Sequence, residues 1–137
     1  ADTDVTRYEV ENKANNINNF TTLNDIANQL KEELAELKIT YNIASSLPSL
    51  SYQPLLLPIV SEYVRQHNIS ETKNLKLSIF LDYKKNLIIS VSGQVMLPIF
   101  SEKLEEYIFE IGGDFTIKDD ESETHHIISL PNHLLKF

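Results

Sequence analysis

From Ile17 onward the chain repeats apolar residues at steps of three and four: Ile17, Phe20, Leu23, Ile26, Ala27, Leu30, Leu34 and Leu37. Such steps fall on one stripe of a helix, so the pattern predicts an amphipathic helix over 17–37. Asn18 or Asn19 caps it, and Lys31, Glu32, Glu33 and Glu36 take the wet side. The period then changes to two. LKITYNI (37–43) alternates, with Ile39, Tyr41 and Ile43 on one face, which is strand periodicity. ASSLPSLSYQP reads as a loop, and Pro54 suits the first turn of a second helix. Leu56, Ile59, Val60, Tyr63 and Val64 form that helix's buried face, and Pro58 lies early enough that its missing N–H costs little.

NISETKN is a turn-rich connection into a hairpin. There Leu75, Leu77, Ile79 and Leu81 alternate inward, DYKKN turns, and Leu87, Ile89 and Val91 return. Pro98 opens a third helix with Ile99, Leu104, Tyr107, Ile108 and Ile111 as its core face and Gly112 as its C-cap. DFTIKDDESETHHIISLP is a second hairpin, turning on the acidic DDESE. The order is helix, strand, helix, hairpin, helix, hairpin. Alternating strands give the sheet one apolar face, and three amphipathic helices are available to cover it. The expected fold is a two-layer α+β sandwich: a mixed or mostly antiparallel sheet of about five strands with helices on one face. Residues 1–16 are polar and Asn-rich and read as a flexible lead-in or linker, leaving a single domain over 17–137.

Charge narrows the partners. The formal net charge is −8, and the Lys and Arg residues form no cluster, which argues against nucleic acid and against direct contact with an anionic membrane. With no cysteine, disulfides and thiolate chemistry are excluded, which suits a reducing cytoplasm. No apolar run approaches the roughly 20 residues of a membrane span, although the chain can still be the soluble part of a longer membrane-bound receptor.

The stretch LPSLSYQPLLLPIVSEYV (47–64) resembles the segment that enters the N-box helix of histidine-kinase ATP-binding domains, in the superfamily that also holds gyrase, Hsp90 and MutL. It is most similar in flavour to LytS-type sensor kinases, with a Pro- and Leu-rich lead into the helix. The preceding strand, the following hairpin and the closing IGGDFTI…HHIISLP extend the resemblance over roughly 37–131. It implies the fold above and a nucleotide site built from two places. In the family, the N-box helix presents a Glu and then the Asn that holds magnesium; the strand after the hairpin turn delivers an Asp-x-Gly-x-Gly adenine loop.

This chain departs at both places. Ser61 stands at the Glu position and Glu62 at the Asn position, or Glu62 and Tyr63 after a one-residue shift; the Asn is absent either way. Ser92 stands where the adenine-binding Asp is expected, followed by Gly93, Gln94, Val95 and Met96, with one glycine remaining. Too few residues separate Gln94 from Pro98 for a long Gly-rich lid, and without one preorganised charge stabilisation of phosphates is lost. The helix over 17–37 has no phosphoacceptor His. Glu62 and Ser92 are therefore the candidate remnants of a nucleotide site, with no catalytic residue, no metal site and no cofactor expected.

The other chemistry-bearing residues have plainer readings. His125 and His126 are adjacent on a strand and so face opposite ways, one inward and one outward, without partners at metal-ligand spacing. His67 near a helix end reads as a favourable C-terminal cation. Neither Ser45-Ser46 nor Ser92-Gly93 forms a Gly-x-Ser-x-Gly nucleophile elbow. DDESE lacks the spaced ligands and central Gly of an EF-hand and reads as a solvated turn whose charges keep a sheet edge soluble. The stripe over 17–37 packs on its own sheet or forms half of a dimer seam.

The resemblance with its motifs eroded implies a catalytically degenerate histidine-kinase-like domain. It would serve as a protein-interaction module in bacterial two-component-type signalling, met by a response-regulator receiver domain or by a second copy through 17–37. The alternative is a divergent kinase domain that binds ATP and magnesium through Glu62 and Ser92 and transfers phosphate. A further alternative is an unrelated sensory or adaptor α+β domain.

Overall fold

The computed structural model describes residues 19–96 and 101–137. The elements are β1 (Phe20–Thr22), α1 (Leu23–Glu33), β2 (Thr40–Ile43), β3 (Ser49–Ser51), α2 (Leu56–Ile69), β4 (Lys73–Leu81), β5 (Leu87–Gln94), α3 (Glu102–Glu110), β6 (Asp114–Asp119), β7 (Thr124–Leu130) and β8 (Leu135–Lys136). The main sheet has five strands in the order β2-β4-β5-β7-β6, with β2 parallel to β4 and all other pairs antiparallel. The two hairpins of the sequence, β4–β5 and β6–β7, supply four of its strands. The fold is the expected α+β arrangement, a mixed sheet with the helices layered on one face.

The two-residue period does the sorting. Leu75, Leu77 and Ile79 of β4, Leu87, Ile89 and Val91 of β5, and Ile128 and Leu130 of β7 enter one core with the helices. The helices answer with Leu23, Ala27 and Leu30 from α1, Leu56, Ile59, Val60, Tyr63 and Val64 from α2, and Leu104, Tyr107 and Ile108 from α3. Each fully buried Leu or Ile contributes about 1.5–3 kcal/mol.

The first helix is shorter than its stripe. Phe20–Thr22 is a strand that pairs antiparallel with Ser49–Ser51, and α1 begins only at Leu23, where the Thr22 hydroxyl accepts from the Asp25 N–H at 3.2 Å. The β-branched Thr21-Thr22 pair and a good N-cap residue favour that break. At the far end Arg65 of α2 donates to the Glu33 carbonyl and reaches the Glu36 carboxylate at 3.3 Å, so the last turn of α1 is tied to α2. Leu23, Ala27, Leu30 and Leu34 are all buried in this chain's own core, so the stripe is not available as a dimer seam. The other expectations on this segment, the lead-in at 1–16, Ile17 and a cap at Asn18, lie outside the described residues.

Residues 49–51, read as loop, join 20–22 and 135–136 in a second small sheet in the order β1-β3-β8. Helix α2 starts at Leu56, two residues past Pro54, which places Pro58 in its first turn. Helix α3 is capped by Ser101, whose hydroxyl accepts from the Leu104 N–H at 3.3 Å; the expected start at Pro98 and the core position Ile99 lie outside the described residues. It ends in a Schellman arrangement: the Gly113 N–H bonds the Ile108 carbonyl at 2.8 Å and the Gly112 N–H the Phe109 carbonyl at 3.0 Å, with Gly112 at φ 87°.

Gly113 has a packing role as well. A Cβ there would come within 2.5 Å of the Ser129 carbonyl and 2.9 Å of Ile108 and Leu130 side chains. Gly113→Ala is therefore expected to lower stability by about 1–3 kcal/mol through overpacking. Gly112→Ala, whose Cβ would meet only Pro131 Cγ at an ordinary 3.7 Å but on a left-handed backbone, should cost about 1–2 kcal/mol. Urea midpoints at constant slope check both.

Candidate functional site

The Ser-Glu-Tyr step of α2 points two ways. Glu62 is exposed, whereas Ser61 and Tyr63 are buried. Glu62 lies in a surface groove of about 490 Å³ between α2 and the start of α3, beside Pro58, Gln66 and Lys103. Ser61 turns its hydroxyl into the core, where the atom has no hydrogen-bond partner.

Ser92 is elsewhere. On β5 the odd positions 87, 89 and 91 face the helices, so Ser90 and Ser92 face the helix-free side of the sheet. Its Oγ bonds His125 Nδ1 at 2.7 Å on that outer face. The two candidate remnants are thus not brought together. Glu62 belongs to the helical layer's outer surface and Ser92 to the opposite side of the sheet, so the expectation that they flank one nucleotide fails on strand parity.

Between α2 and the sheet, where the resemblance led one to look for a pocket, the space is filled by rings. The Tyr63 hydroxyl bonds His126 Nδ1 of β7. Tyr63 packs edge-on against His67 at 4.8 Å between centroids and against Phe115 of β6 at 5.8 Å, and His67 meets His126 edge-on at 4.7 Å. Tyr63 and His67 come together because they sit four residues apart on one face of α2. His126 joins them because it alternates with Ile128 and Leu130 on the inward side of β7.

Electrostatics follow from that burial. His67 is fully buried, its pKa is pushed down to about 4 by desolvation and secondarily by His126, and both its ring nitrogens lack a hydrogen-bond partner. It is a neutral core residue, which corrects the reading of His67 as a helix-end cation. His126 is lowered by burial, with Asp119 opposing. Burial, and then Glu105, push the Tyr63 phenol up, so it remains protonated and shares one hydrogen bond with His126 Nδ1. Neutral rings of this kind form a wall; they present no charge to a phosphate.

His125 and His126 do face opposite sides, as adjacency on a strand requires. The acidic turn is more ordered than a freely solvated loop. Asp120 accepts from the backbone N–H groups of Ser122 at 2.8 Å and Glu123 at 2.7 Å, and Glu123 pairs with Lys76 at 3.2 Å. Among the described residues no three His, Asp or Glu side chains converge as a metal-ligand set.

Several solved structures similar in architecture are histidine kinases. Acinetobacter baumannii histidine kinase AdeS matches with a TM-score of 0.53 and 12% identity, over 93% of this chain and 79% of that one. The histidine kinase domain of the E. coli osmosensor EnvZ matches with a TM-score of 0.59 and 12% identity, over 82% of this chain and 87% of that one. ShkA, solved in complex with AMPPNP, matches with a TM-score of 0.58 and 14% identity, over 80% of this chain and 29% of that one. The chain has the histidine-kinase ATP-binding fold. No family model and no curated protein matches the sequence.

The buried imidazoles set an acid dependence. In the unfolded chain His67 titrates near 6.5, but in the fold it resists protonation down to about 4. The folded state therefore binds fewer protons in that window, and stability present above pH 6.5 is lost as pH falls toward 4, by about 3 kcal/mol from this residue. His67→Phe is expected to flatten the stability-versus-pH curve over that interval relative to wild type, measured by urea unfolding at stepped pH. An unchanged slope would contradict the buried neutral ring.

Proposed function

We propose that this chain is a histidine-kinase-like domain degenerate in its phosphate chemistry that acts by surface recognition in two-component-type signalling. The observation that carries this reading is the ring block of Tyr63, His67, Phe115 and His126, which occupies the gap between α2 and the sheet. It is supported by the separation of Glu62 and Ser92 onto different surfaces. The partner in this reading is a response-regulator receiver domain, or a second copy meeting through a surface other than the α1 stripe. A net charge of −8 favours a basic patch on the partner and a salt-sensitive association rate. The proposed setting is cytoplasmic, as the soluble part of a longer receptor; no described helix is long and apolar enough to cross a membrane.

A second reading, nucleotide binding through Glu62, is favoured by one specific observation: the similar fold of ShkA was solved with AMPPNP bound. Calorimetric titration of the chain with AMPPNP and magnesium separates the two. The first reading expects no saturable heat up to about 1 mM ligand, whereas micromolar binding abolished by Glu62→Ala would establish the second.

A further inference from the structure

The helix-free face of the sheet carries a hydrogen-bonded line of side chains from separate elements. Ser92 of β5 and His125 of β7 are register partners, with Oγ 2.7 Å from Nδ1. Beyond the ring, His125 Nε2 lies 2.6 Å from Asp120 Oδ2 in the β6–β7 turn. The direction of each bond follows from the carboxylate. Asp120 is held well below the usual carboxylate range, by the His125 bond first and then by the N–H groups of Ser122 and Glu123. An ionised carboxylate only accepts. A neutral His125 then carries its proton on Nε2 and offers a lone pair at Nδ1, to which the Ser92 hydroxyl donates. Ser90 Oγ, 3.2 Å from Ser92 Oγ, is then left to donate to Ser92.

This line opens on a depression of about 300 Å³ with Ser92 buried on its floor. Phe80, Ile88 and Ile127 give it an apolar wall. Lys76, the register partner of Ser92 on β4, adds an ammonium anchored by Glu123 at 3.2 Å. A hydroxyl aimed at a base, a base oriented by a carboxylate and a neighbouring cation are the parts of an activated nucleophile. Here the serine meets Nδ1 and the carboxylate Nε2, and the logic of roles is the same. No Gly-x-Ser-x-Gly elbow announces it, because the residues meet only through strand register.

We propose that Ser92 is a base-activated nucleophile that takes acyl groups from small uncharged carboxylic esters with a short apolar acyl chain, at a site separate from the ring block. Ser92 Oγ bonds to the carbonyl carbon while its proton passes to His125 Nδ1. The tetrahedral adduct collapses by breaking the bond to the alkoxy oxygen, which leaves as the alcohol with that proton. Water, deprotonated by His125, then releases the carboxylic acid and restores the serine. Lys76 stabilises the oxyanion, the acyl chain rests on Phe80 and Ile127, and Asp120 is a positioning residue that fixes the imidazole.

The test uses the whole chain with p-nitrophenyl butyrate and, separately, an alkyl fluorophosphonate, followed by peptide mapping of the adduct. The expected result is a burst of p-nitrophenolate and a single phosphonyl adduct on Ser92. Asp120→Asn, an exposed substitution, should slow acylation about 100-fold or more. No adduct, or an adduct on another residue, overturns the proposal. So does a folded Asp120→Asn protein that reacts at the wild-type rate or keeps the wild-type pH profile. Mapping on the wild-type chain decides the matter alone if the variant does not fold.

Discussion

The hydrogen bond between the Tyr63 phenol and His126 Nδ1 joins the central helix to the sheet at the middle of the core, and the character of the interior follows from it. Two imidazoles and a phenol carry polar atoms that a dry core tolerates only when neutral or paired. Around that bond His67 and Phe115 stack edge-on, so α2 is held against β6 and β7 by ring contact. The buried nitrogens of His67 that remain without partners raise the cost of protonating this core and leave the layer stable only while the rings stay neutral.

With the interior closed in this way, chemistry is displaced to the outside of the sandwich. The groove at Glu62 and the depression at Ser92 lie on opposite sides of the molecule's layers, and they differ in kind. Near Glu62 a single carboxylate lies beside apolar Pro58 and Ile59, a surface suited to recognition. Near Ser92 a hydroxyl, an imidazole and a carboxylate are ordered by strand register and by a turn that fixes Asp120 through two backbone N–H groups.

Much of this was legible in the chain. The three-and-four spacing of α2 and α3 and the alternation of β4, β5 and β7 gave the layers and the inward faces, because local period reflects burial directly. The strands β1, β3 and β8 were not legible: two or three residues carry no period, and their pairing is between distant parts of the chain. That same pairing cut the first helix back to Leu23. His67 was misread because a helix-end position suggested charge, while its spacing of four from Tyr63 already placed it on the buried face. Ser92 was misplaced against the strand's own pattern, since an inward Val91 requires an outward neighbour. That one of His125 and His126 faces inward and the other outward, by contrast, followed from alternation alone. The Ser92–His125–Asp120 line had no local signal, as its members are drawn together by the register of β5, β7 and the turn.

The closed interior is tested most directly by the imidazole nitrogens themselves. In a two-dimensional nitrogen–proton NMR titration from pH 7.5 to pH 4.5, the account predicts that the His67 ring stays neutral. A His67 ring that titrates near pH 6.5 in the folded protein would show that water reaches the space between helix and sheet, and would contradict the account.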